Sequence, residues 1–530
     1  MSHPAPAGPD QATLPLTPRG TRLTLLALML AVLFASTDLM VVNIAMYSII
    51  KEFDPGHGVD DSRWILTVYT LALAVSQPLY GKLADLIGGK RIMVFAMSLF
   101  LTGSLACGLS QGMGQLIVFR GVQGLGAGGL LSVATVLAAQ IAAPRNRAKY
   151  AGYAGGLALV GFVIGPVVGG FFTDAHHLLG VTVDWRWAFF LNIPVGVAVV
   201  AVLLVALPNM ATRPGIRIDW LGALLMVGGI GALLLVLELG GDTYHWLSGA
   251  IAVLVAVGAV LLTAFFLQER RADEPILPPR LYRDQAFRVA VPLSVIAGFA
   301  MMGVSYYVAL YLRLVRELDA MDTCLHMIPL LVGMLVGLLF TGILIADHGR
   351  YKIFPIVGAA VAATGAGLCA TVGPDTSSWL ISLYLLLFGL GIGQLTQVPL
   401  ATVQNSVPED DLGTATTAVV FVRMVGQSLG PAIFGAILNV VYAASLPSWI
   451  PADTGASAGA VADSTVTRSL PPEVQHAMGH AFVRGLHGVF LVGAAALVIA
   501  FLVAFRYREQ PIRDRAGVPA GEPATADGVA

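Results

Sequence analysis

Charge is scarce in this sequence: 12% of its 530 residues are Asp, Glu, Lys or Arg, about half the share of a soluble domain. With 57% hydrophobic residues and a mean hydropathy of +0.80, a single soluble globule is excluded. Thirty basic against 31 acidic residues leave a net charge of -1, so there is no basic excess for nucleic acid. Cysteine is nearly missing as well. Cys107, Cys324 and Cys369 fall in or beside apolar stretches without metal-ligand or redox spacing, which excludes a disulfide framework and a cysteine metal site. No Walker loop is present, and the glycine-rich stretch Gly121 to Gly129 lies inside an apolar run rather than between a strand and a helix. His176 and His177 are adjacent, a spacing that does not put both on one helical face as ligands. The chain therefore does not read as an enzyme. No metal and no cofactor is expected, and an ion gradient is the energy source that remains.

Long apolar runs are what the chain has instead. Fourteen stretches, separated by charged or Pro/Gly breaks, read as membrane spans: 23–50, 64–81, 92–111, 115–141, 151–173, 187–208, 219–239, 247–267, 289–312, 324–346, 353–373, 379–401, 414–441 and 486–505. An even number puts both termini on one side. About 21 of the 30 Lys and Arg residues fall in loops on that side, so the positive-inside rule makes it the cytoplasm. The acidic run Glu409, Asp410 and Asp411 dissents, but acidic residues count little in that rule. The layout expected is a disordered tail (1–20), a six-helix bundle (21–208) and two additional helices with a cytoplasmic connector (209–280). A second six-helix bundle (281–505), with an outward loop near 443–485, and a cytoplasmic tail (506–530) follow.

The two bundles echo one another. Gly161-Phe-Val-Ile-Gly165-Pro166, followed by Gly169 and Gly170, returns as Gly426-Gln-Ser-Leu-Gly430-Pro431, followed by Gly435. Gly81-Lys-Leu-Ala-Asp85 returns more loosely as Gly342-Ile-Leu-Ile-Ala-Asp347. With the two additional helices set aside, each pair is related by a shift of six spans, the kind of internal repeat found in secondary transporters. Chance recurrence of small-residue packing explains either match alone more easily than both.

The string Gly81-Lys-Leu-Ala-Asp85-Leu-Ile-Gly88-Gly-Lys90-Arg91 resembles the loop signature between the second and third helices of the major facilitator superfamily. Gly161 to Gly170 resembles the signature of that superfamily's antiporters. Three further strings are Asp38-Leu-Met-Val-Val-Asn43-Ile-Ala45, Arg120-Gly-Val-Gln123-Gly124-Leu-Gly126 and Trp185-Arg186-Trp187-Ala-Phe-Phe-Leu-Asn192-Ile-Pro194-Val-Gly196. Together with fourteen spans they make the chain similar, over nearly its whole length, to the EmrB/QacA type of drug:proton antiporter. The resemblance implies an all-α integral membrane protein: two six-helix bundles plus two extra helices. The chain departs from it at Leu86 and Gly89, where the loop signature usually has Arg, and at Met40 and Tyr47, where the first span usually has Thr and Pro.

Ionisable groups deep in a span are functional candidates, because burying them ionised is costly. Asp38 lies near the middle of the first span. Burial favours its neutral acid and a nearby cation its carboxylate, so it can be loaded and unloaded as access alternates. Arg120, in the fourth span, is its candidate partner in proton coupling, although helical rise puts the two about 10 Å apart in depth. Arg423 has no carboxylate at i±3 or i±4, so it pairs elsewhere, lines water or snorkels. Glu238 closes the seventh span near the outer boundary. Gln397 and Gln404 share a helical face and suit a wet cavity or inter-helix hydrogen bonds. Asn43, Gln123, Gln394, Gln397 and Arg423 are the candidate substrate-cavity residues. Asp85 can accept from the N-terminal amides of a neighbouring helix and bind Lys90 or Arg91, forming with Gly81 and Gly88 a gating loop that locks the cytoplasmic side. Gly161, Gly165, Gly169 and Gly170 clear one helical stripe and Pro166 removes a backbone donor, permitting close packing and a bend.

The function expected is proton-coupled export of hydrophobic or amphipathic small molecules by alternating access, with the substrate in a central cavity between the bundles. One proton descending about 150 mV releases roughly 3.5 kcal/mol, enough for somewhat over a hundredfold gradient. The alternatives are export of an endogenous metabolite, lipid or antibiotic, and a non-transporting membrane sensor of the same fold. The partners expected are a small-molecule substrate, protons and the lipid of a bacterial cell membrane. The chain is expected to be a monomer open to an accessory partner.

Overall fold

The computed structural model describes residues 18–53, 58–142, 144–173, 176–178, 181–207, 219–240, 244–246, 248–272, 274–318, 320–373, 375–446, 471–509, 513–515 and 518–519. Helices dominate it, since an apolar segment in lipid satisfies its backbone groups most simply within itself. The first bundle holds α1 (Pro18–Phe53), α2 (Gly58–Ile87), α3 (Gly89–Gly108), α4 (Met113–Ile141), α5 (Pro144–Thr173), α6 (Arg186–Phe190) and α7 (Asn192–Ala206). Next come α8 (Trp220–Leu239) and α9 (Gly249–Glu269). The second bundle holds α10 (Gln285–Leu314), α11 (Ala320–His348), α12 (Ile353–Cys369), α13 (Ser378–Ser406), α14 (Leu412–Ser445) and α15 (Pro472–Ala504).

Among the described residues twelve helices are long and apolar enough to cross a membrane. The 17-residue α12 is shorter, and α2 carries Ser76, Gln77, Lys82 and Asp85 towards its end. Both pack inside the bundles, and with α6 and α7 sharing the sixth position the helices follow the fourteen expected stretches. Several starts have a local cause. Asp219 accepts from the Gly222 amide (2.8 Å) at α8, Ser248 from Ile251 (3.4 Å) at α9, and Asp284 from Phe287 (2.9 Å) at α10.

Lipid is as apolar as leucine, so close backbone approach rather than hydrophobic burial holds such helices together. In the first bundle α5 lies along α1, and in the second α14 lies along α10. A methyl group at Gly165 would stand 2.4 Å from the Met40 Cβ, and one at Gly161 2.9 Å from the Leu33 carbonyl oxygen. At Gly426 and Gly430 it would stand 2.1 Å from the Val295 and 2.4 Å from the Phe299 carbonyl oxygen. The sequence echo is thus a packing echo, made inside each bundle. The second echo is a joint: Gly88 (φ 99) and Gly349 (φ 71), each seven residues after Gly81 and Gly342, take the left-handed conformation that ends α2 and α11.

Four expectations change. Gly81 to Asp85 is not loop, because α2 stays helical to Ile87 and the turn falls on Gly88. The outward loop near 443–485 shrinks, since α14 reaches Ser445 and α15 starts at Pro472; the intervening 447–470 lie outside the described residues. Most of the 1–20 and 506–530 tails also lies outside them, but Arg513–Arg515 pairs antiparallel with Val518–Pro519. Helix α5 runs through Pro166 without interruption.

The two bundles close on each other at the end where the basic loops lie, the end expected to be the inner one. Every residue of α14 from Leu412 to Phe421 is buried, as are nearly all of α13 from Gly391 to Gln404. Across this seam Gln397 Nε2 donates to the Ala148 carbonyl, Arg147 Nη1 donates to the Gln404 carbonyl (2.7 Å), and Gly342 packs on Ala148. On the far side of the bundle Gly81 sits against Thr417 and Gly413.

Candidate functional site

Asp38 and Arg120 meet in the first bundle. Arg120 Nη1 donates to Asp38 Oδ2 at 2.7 Å, with the two residues 0% and 3% exposed. The two side chains meet despite the depth difference counted from helical rise. The other oxygen, Asp38 Oδ1, accepts from Gln123 Nε2 (2.9 Å) and Asn192 Nδ2 (2.8 Å). Asn192 is oriented in turn by Ser104 Oγ (3.0 Å), which donates to the Phe189 carbonyl (2.9 Å). Arg120 Nη1 also reaches Gln123 Oε1 (2.8 Å), and its guanidinium lies 3.8 Å from the Tyr69 ring centroid. Stacking on an aromatic face stabilises a desolvated cation. Three donors and no acceptor surround Asp38, an arrangement suited to the ionised carboxylate. Among the described residues Arg120 Nε and Nη2 have no hydrogen-bond partner. Towards the outer end an apolar cluster that includes Val42, Ile49, Ile65, Leu116, Trp185 and Phe189 covers the pair.

Gln123 therefore belongs with Asp38 rather than with the substrate cavity where the sequence reading placed it. Gln394 is buried and its Cβ faces Gly358 of α12. Gln397 is 1% exposed and lies in the inner seam, not in open space. Asn43 is exposed. Glu238 accepts from Thr67 Oγ1 at 2.5 Å, which ties α8 to α2. Asn192 and Tyr69 are site residues the sequence reading did not single out. Asn192 stood inside the quoted Trp185 to Gly196 string, but Tyr69 carried no signal beyond being aromatic in a span.

That same string anchors the outer end of α1. Trp185 Nε1 donates to Glu52 Oε2 (2.7 Å), and Arg186 pairs with Glu52 (2.7 Å) while stacking on Trp185. The Arg186 guanidinium holds the Glu52 carboxyl below its ordinary range.

At the inner seam Asp85 reaches across the bundles and accepts from the Gly413 amide (3.0 Å), the Thr414 amide (2.8 Å) and Thr414 Oγ1 (3.0 Å). It caps the start of α14, where the helix dipole favours a carboxylate. Lys90 and Arg91 do not join it. Lys90 donates to the Leu204 (2.8 Å) and Leu207 carbonyls at the end of α7, and Arg91 is exposed.

The connector between α9 and α10 grips both sides of this cap. Glu274 pairs with the buried Lys82 of α2 at 2.8 Å. Arg280 forks onto both oxygens of Asp411, the residue preceding α14, at 2.8 and 2.7 Å. Asp411 raises the Arg280 guanidinium above its ordinary value. The clasp is solvated on one side, so its worth is about 0.5–1 kcal/mol. Arg280→Gln is therefore expected to raise the rate at which a cysteine at the seam, Thr417→Cys, is modified from the inner side by about two- to fivefold. An unchanged rate would make the connector a passive link.

Two equivalent six-helix bundles, closed on each other at one end and built around a buried carboxylate and guanidinium, define a membrane transport protein. The family model of the major facilitator superfamily matches residues 28–219 and 218–431, and the chain belongs to that superfamily. The MFS-type transporter Rv1877 of Mycobacterium tuberculosis is 37% identical over 499 residues, covering 94% of this chain and 71% of its own. Multidrug resistance protein 3 of Bacillus subtilis is 29% identical over 492 residues, covering 91% and 94%. The proton:xylose symporter XylE superposes with a TM-score of 0.60 at 14% identity, over 92% of this chain and 96% of its own, a likeness of fold.

Proposed function

We propose that the chain is a proton-coupled exporter of hydrophobic or amphipathic small molecules, of the fourteen-span drug:proton antiporter type. It sits in the cell membrane with both termini in the cytoplasm. The observation that carries the reading is the sealed Asp38 carboxylate, held by Arg120, Gln123 and Asn192. An ionised acid in a membrane bundle is costly to keep and is retained where it moves a proton or binds a cation. In the reading, loosening the outer cluster admits a proton to Asp38, its bond to Arg120 breaks, and the freed cation shifts α1 against α4. The Asp85 cap and the connector clasp then release the inner seam and let cargo enter between the bundles. Relatives named for multidrug resistance and for multidrug transport support export of drug-like molecules.

Reconstituted vesicles with an imposed proton gradient test it: substrate accumulation that collapses with a protonophore is expected, and a bound dye that never moves would leave only the sensor reading. Orientation is checked in a variant whose exposed Cys324 has been replaced. Arg271→Cys is expected to label only from the cytoplasm and Lys51→Cys only from outside. The reverse pattern would overturn the topology.

A further inference from the structure

Asp38 and Arg120 neutralise each other in the membrane interior, and Thr67 bonds Glu238 near the outer end. Arg423 is different. It makes no hydrogen bond or ion pair with any described residue. It stands about 16 Å along α14 from the first residue of that helix. Between it and the inner surface, Leu412 to Phe421 are buried on all sides, so the side chain has no path along which to snorkel into the cytoplasm. From Val422 to Val425 the burial pattern breaks, and all four residues are partly exposed. Arg423 thus stands where the sealed seam gives way to open space. The next residue, Met424, packs against the cluster of Ala74 and Val75 of α2 and Leu234 of α8, so this level of α14 lies beside the junction of the two bundles. A guanidinium is not stable against lipid tails, so the space it meets is wet or holds a counter-charge.

We propose that Arg423 docks an anionic group of the exported molecule, a carboxylate, sulfonate or phosphate, at the floor of the space between the bundles. This deepens the export reading and rests on it. The fork of a guanidinium accepts two oxygens of such a group side by side. Val422 and Val425, also partly exposed at this level of α14, are apolar. The cargo matched by this arrangement is an amphipathic anion: one charged head and an apolar body. Binding also cancels the charge of a guanidinium that no described residue pairs with.

Two probes that differ only in the charged group test this. 1-Anilinonaphthalene-8-sulfonate carries a sulfonate, and N-phenyl-1-naphthylamine is the same molecule without it. Calorimetric titration of the full chain in lipid nanodiscs, against empty nanodiscs, is expected to show the sulfonate binding more tightly than the amine. Arg423→Gln is expected to weaken the sulfonate roughly tenfold, to leave the amine unchanged, and Arg423→Lys to restore part of the loss. Equal loss of both probes would reduce Arg423 to packing, and tighter binding of ethidium than of the sulfonate would reverse the charge of the cargo; either overturns the proposal. Proton-driven flux is read separately on the same proteins. Charge-selective binding without flux would sink the export reading and leave the anion site standing, whereas flux indifferent to Arg423 would do the opposite.

Discussion

Asp38→Asn is expected to abolish uphill export while the protein still inserts in the membrane, read as substrate accumulation in vesicles with an imposed proton gradient. The amide keeps the size of the side chain and one acceptor, but it cannot titrate. It also leaves Arg120 as an unpaired cation at 0% exposure, and breaking a buried pair in this way costs about 3–5 kcal/mol. The melting temperature should therefore fall. Asp38→Asn combined with Arg120→Gln removes both charges and is expected to recover much of that stability without recovering export. The double variant separates coupling from folding: lost transport in a restored fold assigns the proton to Asp38. Uphill transport at the normal rate in the single variant would move the proton site elsewhere, to Glu238 first.

The second large effect is expected at Gly165. The glycine stripe of α5 lies against α1 inside the first bundle, so it does not hold the two bundles together directly. Its importance comes from what it touches. A methyl group at Gly165 would already stand 2.4 Å from the Met40 Cβ and 3.0 Å from the Thr37 carbonyl oxygen, and Thr37 and Met40 flank Asp38. Gly165→Leu is expected to displace that turn of α1, loosen the bonds from Arg120 and Asn192, and lose coupled transport at near-normal expression. Proton release on substrate addition is the readout. Gly430→Leu would meet the Phe299 carbonyl oxygen, which a methyl group approaches to 2.4 Å. No paired carboxylate sits behind that contact among the described residues, so transport is expected to be impaired less severely. Normal proton coupling in Gly165→Leu would make the stripe ordinary helix packing.

The Arg120 and Asn192 contacts show where reading the sequence stops. Candidates in a span can be picked out one at a time, because a charge or amide in an apolar run is conspicuous: Asp38, Arg120 and Arg423 were all visible this way. Arg120 could be named as a candidate partner of Asp38, but the parts played by Gln123 and Asn192 could not. In a soluble helix the apolar face marks the core, but in lipid the outward face is apolar too, so periodicity does not report helix rotation. For that reason Gln397 could be assigned equally to a wet cavity or to a packed seam, and Gln123 to cargo or to Asp38. Lys90 illustrates the same limit at the inner end, since its sequence neighbour Asp85 turned towards α14 while Lys90 turned towards α7.

The sequence by itself determined that the chain is an all-helical membrane protein, that its spans fall in two related sets with two more between them, and that Asp38 and Arg120 are buried ionisable groups needing an explanation. These follow from local quantities: run length, charge counts and residue identity. Only the tertiary structure decided that Asp38 answers Arg120, Gln123 and Asn192 together, that the connector clasps Lys82 and Asp411, and that Arg423 answers no described residue. Those outcomes depend on how tilted helices cross and rotate against one another, which is settled by backbone contacts at glycines far apart in the chain.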